Sequence, residues 1–160
     1  MLVLGKIFNI NQLGTSLNNW RADGLKIVFT NVCFDLIHRG HIEYLLKAKS
    51  FGDVLIVGLN SDSSVKKLKG KNRPIIRQED RAFILSNIIA VDGVVIFTEE
   101  TPIQLINTIS PDILVKGGDY SIEDIVGKDI VEKNGGKVIT VPLVKGRSTT
   151  NIFNKIIDSN

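Results

Sequence analysis

Cysteine is nearly missing from this chain: Cys33 alone among 160 residues leaves no partner for an internal disulfide and fits a reducing, cytoplasmic location. No apolar run approaches the ~18 residues that a membrane crossing needs, and Met1-Leu2-Val3-Leu4-Gly5-Lys6 is too short for the apolar core of a secretory leader. Charge of one sign is also scarce, since 20 Lys and Arg against 17 Asp and Glu leave a net +3, too little to argue for nucleic acid. Two histidines and one cysteine do not make a standard zinc spacing. No Gly-x-x-x-x-Gly-Lys-Ser/Thr occurs, because Gly135-Gly136-Lys137 is followed by Val138, and no Gly-x-Gly-x-x-Gly follows the first apolar run. Those two absences argue against a P-loop NTPase and an ordinary dinucleotide binder. Repeats, low-complexity tracts and linkers are missing too, so a single domain over residues 1–160 is expected, with 1–24 as a leading helix and 25–160 as the core.

What is present alternates. Ile10, Leu13, Leu17 and Trp20 recur at spacings of three and four, which predicts an amphipathic helix over residues 9–22 that Asp23-Gly24 stops. A β-branched run, Ile27-Val28-Phe29, predicts a strand that breaks at Thr30-Asn31. A helix over 40–51 follows, ending at Gly52, and then a continuous apolar strand, Val54-Leu55-Ile56-Val57-Gly58-Leu59. The basic segment 66–74 reads as a loop, either solvated or folding over a ligand as a lid. Further helices are expected over 78–90, after Thr101-Pro102, over 122–133 and from Ser148, with strands at 94–97, 111–116 and 137–142 between them. In the 78–90 helix Ala82, Leu85, Ile88 and Ile89 are expected inward, and Ile152, Ile156 and Ile157 supply the apolar side of the last one. Continuously apolar strands alternating with helices imply an α/β fold, a doubly wound, Rossmann-like domain with a five-stranded parallel sheet and helices on both faces.

The chemistry gathers in residues 27–41. A loop that leaves the carboxyl end of the first strand and feeds a helix is where open α/β sheets hold ligands. The first helical N–H groups have no intrahelical partners, and the helix dipole welcomes an anion there. Both histidines, His38 and His41, fall on that turn at i and i+3, on one side of it. Near the other end of the chain, Arg147 is a permanent cation just before a helix start, and Ser148 and Thr149 offer caps and hydroxyls to phosphate. The pattern reads as a phosphate-handling active site.

His38-Arg39-Gly40-His41 resembles the His-x-Gly-His signature of the nucleotidyltransferase superfamily. The longer string from Phe29 to His38 is similar to the adenylyltransferase domain of ADP-heptose synthesis. Lys69-Gly70, Arg73-Pro74-Ile75, Glu79-Asp80-Arg81, Lys116-Gly117-Gly118-Asp119-Tyr120 and Arg147-Ser148-Thr149-Thr150 extend that resemblance from about Leu25 to the C-terminus. It implies transfer of an adenylyl group from ATP to a sugar 1-phosphate, heptose 1-phosphate, with release of pyrophosphate. It implies catalytic roles for His38 and His41, with Lys47, one and a half turns further on, reaching a phosphate. Nucleotide contacts are implied for Thr30, Asn31, Cys33, Phe34, Gly40, Lys116, Gly117, Asp119, Arg147, Ser148, Thr149 and Thr150, and acceptor contacts for Asp35, Lys69 and Arg73. Asp35 is as readily a loop-capping residue, and Cys33 a small buried one. Mg²⁺ is expected with ATP, bridging phosphates and mostly water. A homodimer and a separate sugar kinase are expected partners, with neither nucleic acid nor membrane.

One residue departs from the family pattern: Val32 stands where glycine is usual. A β-branched residue resists φ > 0, so either the loop uses ordinary φ there or nucleotide binding is altered. Three other readings follow. A cytidylyltransferase of the glycerol 3-phosphate type or an FAD synthetase would share the histidine and Ser-Thr-Thr elements. A nucleotide-binding module with weakened catalysis would fit Val32. Thiol hydrolysis through Cys33 and His38 is the remote one.

Overall fold

β1 (Ile27–Val32) is the middle strand of five, and every strand runs parallel to its neighbours. The order is β3-β2-β1-β4-β5, with β2 (Val54–Asn60), β3 (Gly93–Phe97), β4 (Ile113–Gly117) and β5 (Lys137–Val141). The computed structural model describes residues 3–142, 144, 146 and 148–159. The α/β, five-stranded parallel architecture expected from the alternating pattern is the one found. All seven residues of β2 are buried, as a strand covered on both faces requires.

Alternation within β1 shows how both faces are filled. Ile27 and Phe29 join Leu13 and Leu17 of α1 (Ile10–Ala22), Leu105, Ile106 and Ile109 of α5 (Ile103–Ile109) and Val131 of α6 (Lys128–Lys133). Val28, between them, points the other way, into Leu45 and Ala48 of α2 (Arg39–Lys49) and Ala82 and Leu85 of α4 (Gln78–Ser86). The chain thus winds helices on both sides of the sheet. The strand order reverses between β1 and β4, and the crevice that opens there is the ligand position of such folds.

Several boundaries differ from the sequence reading. β1 does not break at Thr30-Asn31 but continues in register with β2 through Val32↔Leu59. Val32 is not among the positive-φ residues, so the valine sits in ordinary strand backbone. The expected loop at 66–74 is helical in its first part, because α3 (Asp62–Lys69) is capped by Ser61, whose Oγ accepts from Ser64 N at 3.2 Å. Gly70, at φ +97°, then turns the chain sharply. α4 stops at Ser86 rather than 90. The Asn87 amide and the Ser86 hydroxyl both donate to Phe83 O at 2.8 Å, competing with further helix, and Ile89 is left 87% exposed rather than inward. The 122–133 helix is two pieces, a 3₁₀ turn at Ile122–Asp124 and α6, separated by Gly127 at φ +90°. α7 (Thr149–Asp158) begins after Ser148 as expected, yet it buries no residue, with Ile156 and Ile157 each 56% exposed. No helix among the described residues is long and apolar enough to cross a membrane.

Candidate active site

His38 is the N-cap of α2. Its backbone is extended (φ −139°, ψ 173°) and its Nδ1 accepts from Gly40 N at 3.1 Å. His41, at the third helical position, returns the bond: its Nδ1 accepts from His38 N at 3.4 Å. This is a capping box built from imidazoles. Its chemical consequence is a tautomer choice, because a ring whose Nδ1 accepts a hydrogen bond carries its neutral-state proton on Nε2. The two rings stack, centroids 3.9 Å apart and 25° between planes, so two Nε2–H donors run side by side. Burial first, then the neighbouring His38, then Lys69 lower the pKa of His41 to about 4, so it is neutral at pH 7. The helix amides contribute less than the sequence suggested, since Gly40 N is bonded to the imidazole and His41 N to His38 O at 2.9 Å.

Both rings line a cleft of about 530 Å³ at the carboxyl ends of β1, β2 and β4, a size common for ligand sites. Asn31, Cys33, Lys116, Gly117, Asp119 and Tyr120 line it too, as do Ser148, Thr149 and Thr150 at the start of α7. Lys116 donates to Asn31 Oδ1 across the β1–β4 switch point. Burial lowers its pKa to about 8, with Cys33 and Asp119 opposing. Ser148 Oγ caps α7 by accepting from Asn151 N at 3.0 Å, and its own proton remains to be donated. Thr149 Oγ1 instead donates to Leu36 O at 3.2 Å and holds α7 against the 33–37 loop.

Behind the cleft lies a frame of used-up polar groups. Arg81, fully buried, donates from Nη1 to Cys33 O at 2.6 Å and Asn60 O at 2.9 Å. Its Nε reaches Ile76 O at 2.9 Å and its Nη2 the Asp62 carboxylate at 2.7 Å. One guanidinium thus ties the ends of β1 and β2, the start of α3 and the lead-in to α4. Asp35, 2% exposed, accepts from Arg73 Nε at 2.6 Å, Ile75 N at 2.8 Å and Ile76 N at 3.0 Å. Burial would raise its pKa, but those three donors together hold it below the usual carboxylate value. Arg73 also lies over the Phe153 ring of α7, 5.6 Å from the centroid.

Residues 29–155, most of the chain, match the cytidylyltransferase-like family. The chain belongs to that family. This cytidylyltransferase-like chain is 57% identical over 152 residues to the Bifunctional protein HldE of Geobacter metallireducens, covering 95% of this chain and 31% of that one. The Bifunctional protein HldE of Geobacter sulfurreducens is 52% identical over 152 residues with the same two coverages. The chain therefore spans about 31% of the length of the curated relatives it matches. Among solved structures, a lipopolysaccharide core biosynthesis protein from Thermoplasma volcanium superposes with a TM-score of 0.63 at 29% identity, over 78% of this chain and 100% of that one. A pantoate-beta-alanine ligase from Francisella tularensis, at 19% identity and TM-score 0.59 over 96% of this chain and 78% of that one, shares the fold.

Of the family-implied residues, the cleft gathers His38, His41, Gly40, Asn31, Cys33, Lys69, Lys116, Gly117 and Asp119, together with Ser148, Thr149 and Thr150. Others it does not gather. Thr30 is fully buried, sharing a 2.7 Å hydrogen bond with Tyr44. Phe34, 1% exposed, packs edge-on against the His41 ring at 5.2 Å and positions it. Asp35 and Arg73 bond each other in the frame rather than lining the cleft. Lys47 is exposed, with its Nζ over the Phe51 ring. Six residues is about 600° around a helix, so Lys47 faces away from His41. Arg147 lies outside the described residues. Cys33 is a buried thiol whose pKa is raised, chiefly by burial, which opposes a nucleophilic role. Sequence reasoning gave no role to Arg81, Tyr44, Asn60 or Glu100. Arg81 did leave a signal, a cation four residues before Leu85 on the inward stripe of α4.

Proposed function

We propose that this chain transfers the adenylyl group of ATP to a sugar 1-phosphate, heptose 1-phosphate, releasing pyrophosphate. The observation that carries the reading is the stacked histidine pair at the switch point, in a cleft it shares with the start of α7. A phosphate monoester is already largely dianionic near neutral pH, its second pKa being about 6, so the attacking oxygen needs no general base. The reaction needs in-line positioning and donors aimed where charge grows, on the α-phosphoryl oxygens and the departing pyrophosphate. His38 and His41 supply donors at that point, His41 as a neutral imidazole. Ser148 and Thr150 hydroxyls take the β- and γ-phosphates, Lys116 and Asp119 hold the nucleoside, and Lys69 lies on the acceptor side. Mg²⁺ enters on the triphosphate as part of the substrate, neutralising charge there. A homodimer, a cytoplasmic location and supply of the acceptor by a separate sugar kinase belong to the same proposal.

The second reading, cytidylyl transfer, draws on the name of the family. The reading as a weakened binding module loses its steric motive, because Val32 is paired in β1 at ordinary φ. A coupled pyrophosphate assay crossing ATP and CTP with sugar 1-phosphates and glycerol 3-phosphate separates the readings. Release from ATP with heptose 1-phosphate is expected. Release from CTP alone removes the adenylyl assignment, and tight ATP binding without release from any acceptor favours the binding module.

A further inference from the structure

The cleft has two arms, and on the second only Lys69 has been given a role. On the β4 side lie Lys116, Asp119 and the start of α7. On the β2–β3 side lie Asn60, Leu68, Lys69 and Glu100. The second arm is built differently. Lys69 is the cation that lines this arm, so a carboxylate beside it is out of keeping with a purely phosphate-binding surface. Glu100 is nonetheless part of the lining.

Its placement is engineered by its neighbours. Asn60, 4% exposed at the end of β2, donates from Nδ2 to Ser64 Oγ at 3.0 Å, and Ser64 Oγ donates to Glu99 O at 3.3 Å. That relay pins the loop after β3 to the end of β2. The preceding carboxylate, Glu99, is turned back onto its own chain, accepting from Thr98 N at 2.9 Å. Glu100 is the acid the loop presents to the cleft. An ionised carboxylate only accepts hydrogen bonds and repels phosphate, so its natural ligand here is a set of neutral hydroxyls. The amide oxygen of Asn60 is a second acceptor on the same arm, and Leu68, 56% exposed, offers an apolar surface for the C–H face of a ring. Lys69 ends α3 and lines the same cleft as both histidines, which puts a cation on the side from which a phosphate would attack.

Building on the adenylyl-transfer reading, we propose that the Asn60–Lys69–Glu100 arm is the acceptor subsite. Lys69 takes the acceptor's phosphate, and Glu100, with Asn60 beside it, reads the hydroxyls of its sugar ring. Discrimination by a site built to bond a hydroxyl is steep, because an acceptor lacking it leaves a polar group unpaired. The test uses Glu100→Gln and Glu100→Ala in the full chain, with melting temperature as a folding check. Pyrophosphate release is measured with sugar 1-phosphates and their monodeoxy derivatives, and the ATP dissociation constant and the Mg²⁺ midpoint are measured separately. For both variants kcat/KM for the sugar 1-phosphate should fall about 10–100-fold, mainly through KM, with ATP affinity and the Mg²⁺ midpoint within about twofold of wild type. Removing the hydroxyl that Glu100 reads should penalise wild type and leave Glu100→Ala indifferent. If wild type turns over sugar 1-phosphates and both variants match it, the subsite assignment is overturned while the adenylyl-transfer reading stands. A raised Mg²⁺ midpoint or weakened ATP binding overturns it as well, by moving Glu100 to the nucleotide. No release by wild type from any sugar 1-phosphate takes down the underlying reading and the subsite with it.

Discussion

Arg73 and Arg81 lie within the same few residues of sequence as Lys69, and all carry one positive charge, yet they do opposite work. The arginines face inward to a frame: Arg81 donates to three backbone carbonyls and the Asp62 carboxylate, and Arg73 donates from Nε to Asp35. Lys69 and Lys116 line the cleft, as do the carboxylates Asp119 and Glu100. A planar fork with five donors suits a post that several loops must share, and a compact ammonium suits a ligand that comes and goes. The difference between frame and cleft is therefore whether a polar group's bonding capacity is already consumed by the protein.

The comparison breaks most violently at Arg81. Arg81→Ala strands Cys33 O, Asn60 O, Ile76 O and the Asp62 carboxylate, and should cost about 3–5 kcal/mol of unfolding free energy by denaturant titration, a large share of a typical ~5–15 kcal/mol. A loss under ~1 kcal/mol would mean the frame is not what holds these loops. On the cleft side, His41→Ala should lower turnover by ~10²–10³ with only modest loss of ATP affinity, because its donor acts on charge that develops in the transition state. A change confined to KM contradicts that role.

Lys116 sharpens the contrast through pH. Its charge is lost as pH rises through about 8, so ATP binding measured by calorimetry should weaken several-fold between pH 7 and 9. Stability moves the other way. The unfolded chain holds that proton up to 10.5, binding more protons than the folded chain between about 8 and 10.5, so unfolding free energy should rise across that window. Lys116→Met should flatten the binding profile. The smallest effect belongs to Lys47, where Lys47→Ala should leave kcat/KM within about twofold, as befits an exposed side chain away from the cleft.

What was legible in the sequence was local. The histidine pair, its strand and the first turn of its helix occupy the consecutive residues 27–41, and i, i+3 geometry carries the rings together without help from the rest of the fold. The apolar runs likewise reveal the parallel sheet, since period and length decide them. Lys47 was placed by reach along the chain, while direction around the helix puts its side chain over Phe51. Asp35 and Arg73 are polar residues of a ligand-binding stretch by every local sign, and only their mutual contact across 38 positions turns them into structure. The Arg81 post depends on four carbonyl and carboxylate partners from separate elements, which no spacing rule brings together. Helix ends were lost to side chains that bond backward onto the backbone, as Ser86 and Asn87 do.

α7 and its N-cap carry Ser148, Thr149 and Thr150 of the cleft lining, but the helix buries none of its own side chains. Its ties to the rest of the fold include the Thr149 hydroxyl on Leu36 O and the Arg73 guanidinium over Phe153. Amides in such a segment exchange with solvent through local opening, at a fraction of the global unfolding free energy. Deuterium uptake in residues 150–158 is thus a gauge of occupancy: a triphosphate that engages Ser148 and Thr150 slows it, while the amides of β2, locked under both layers, register nothing.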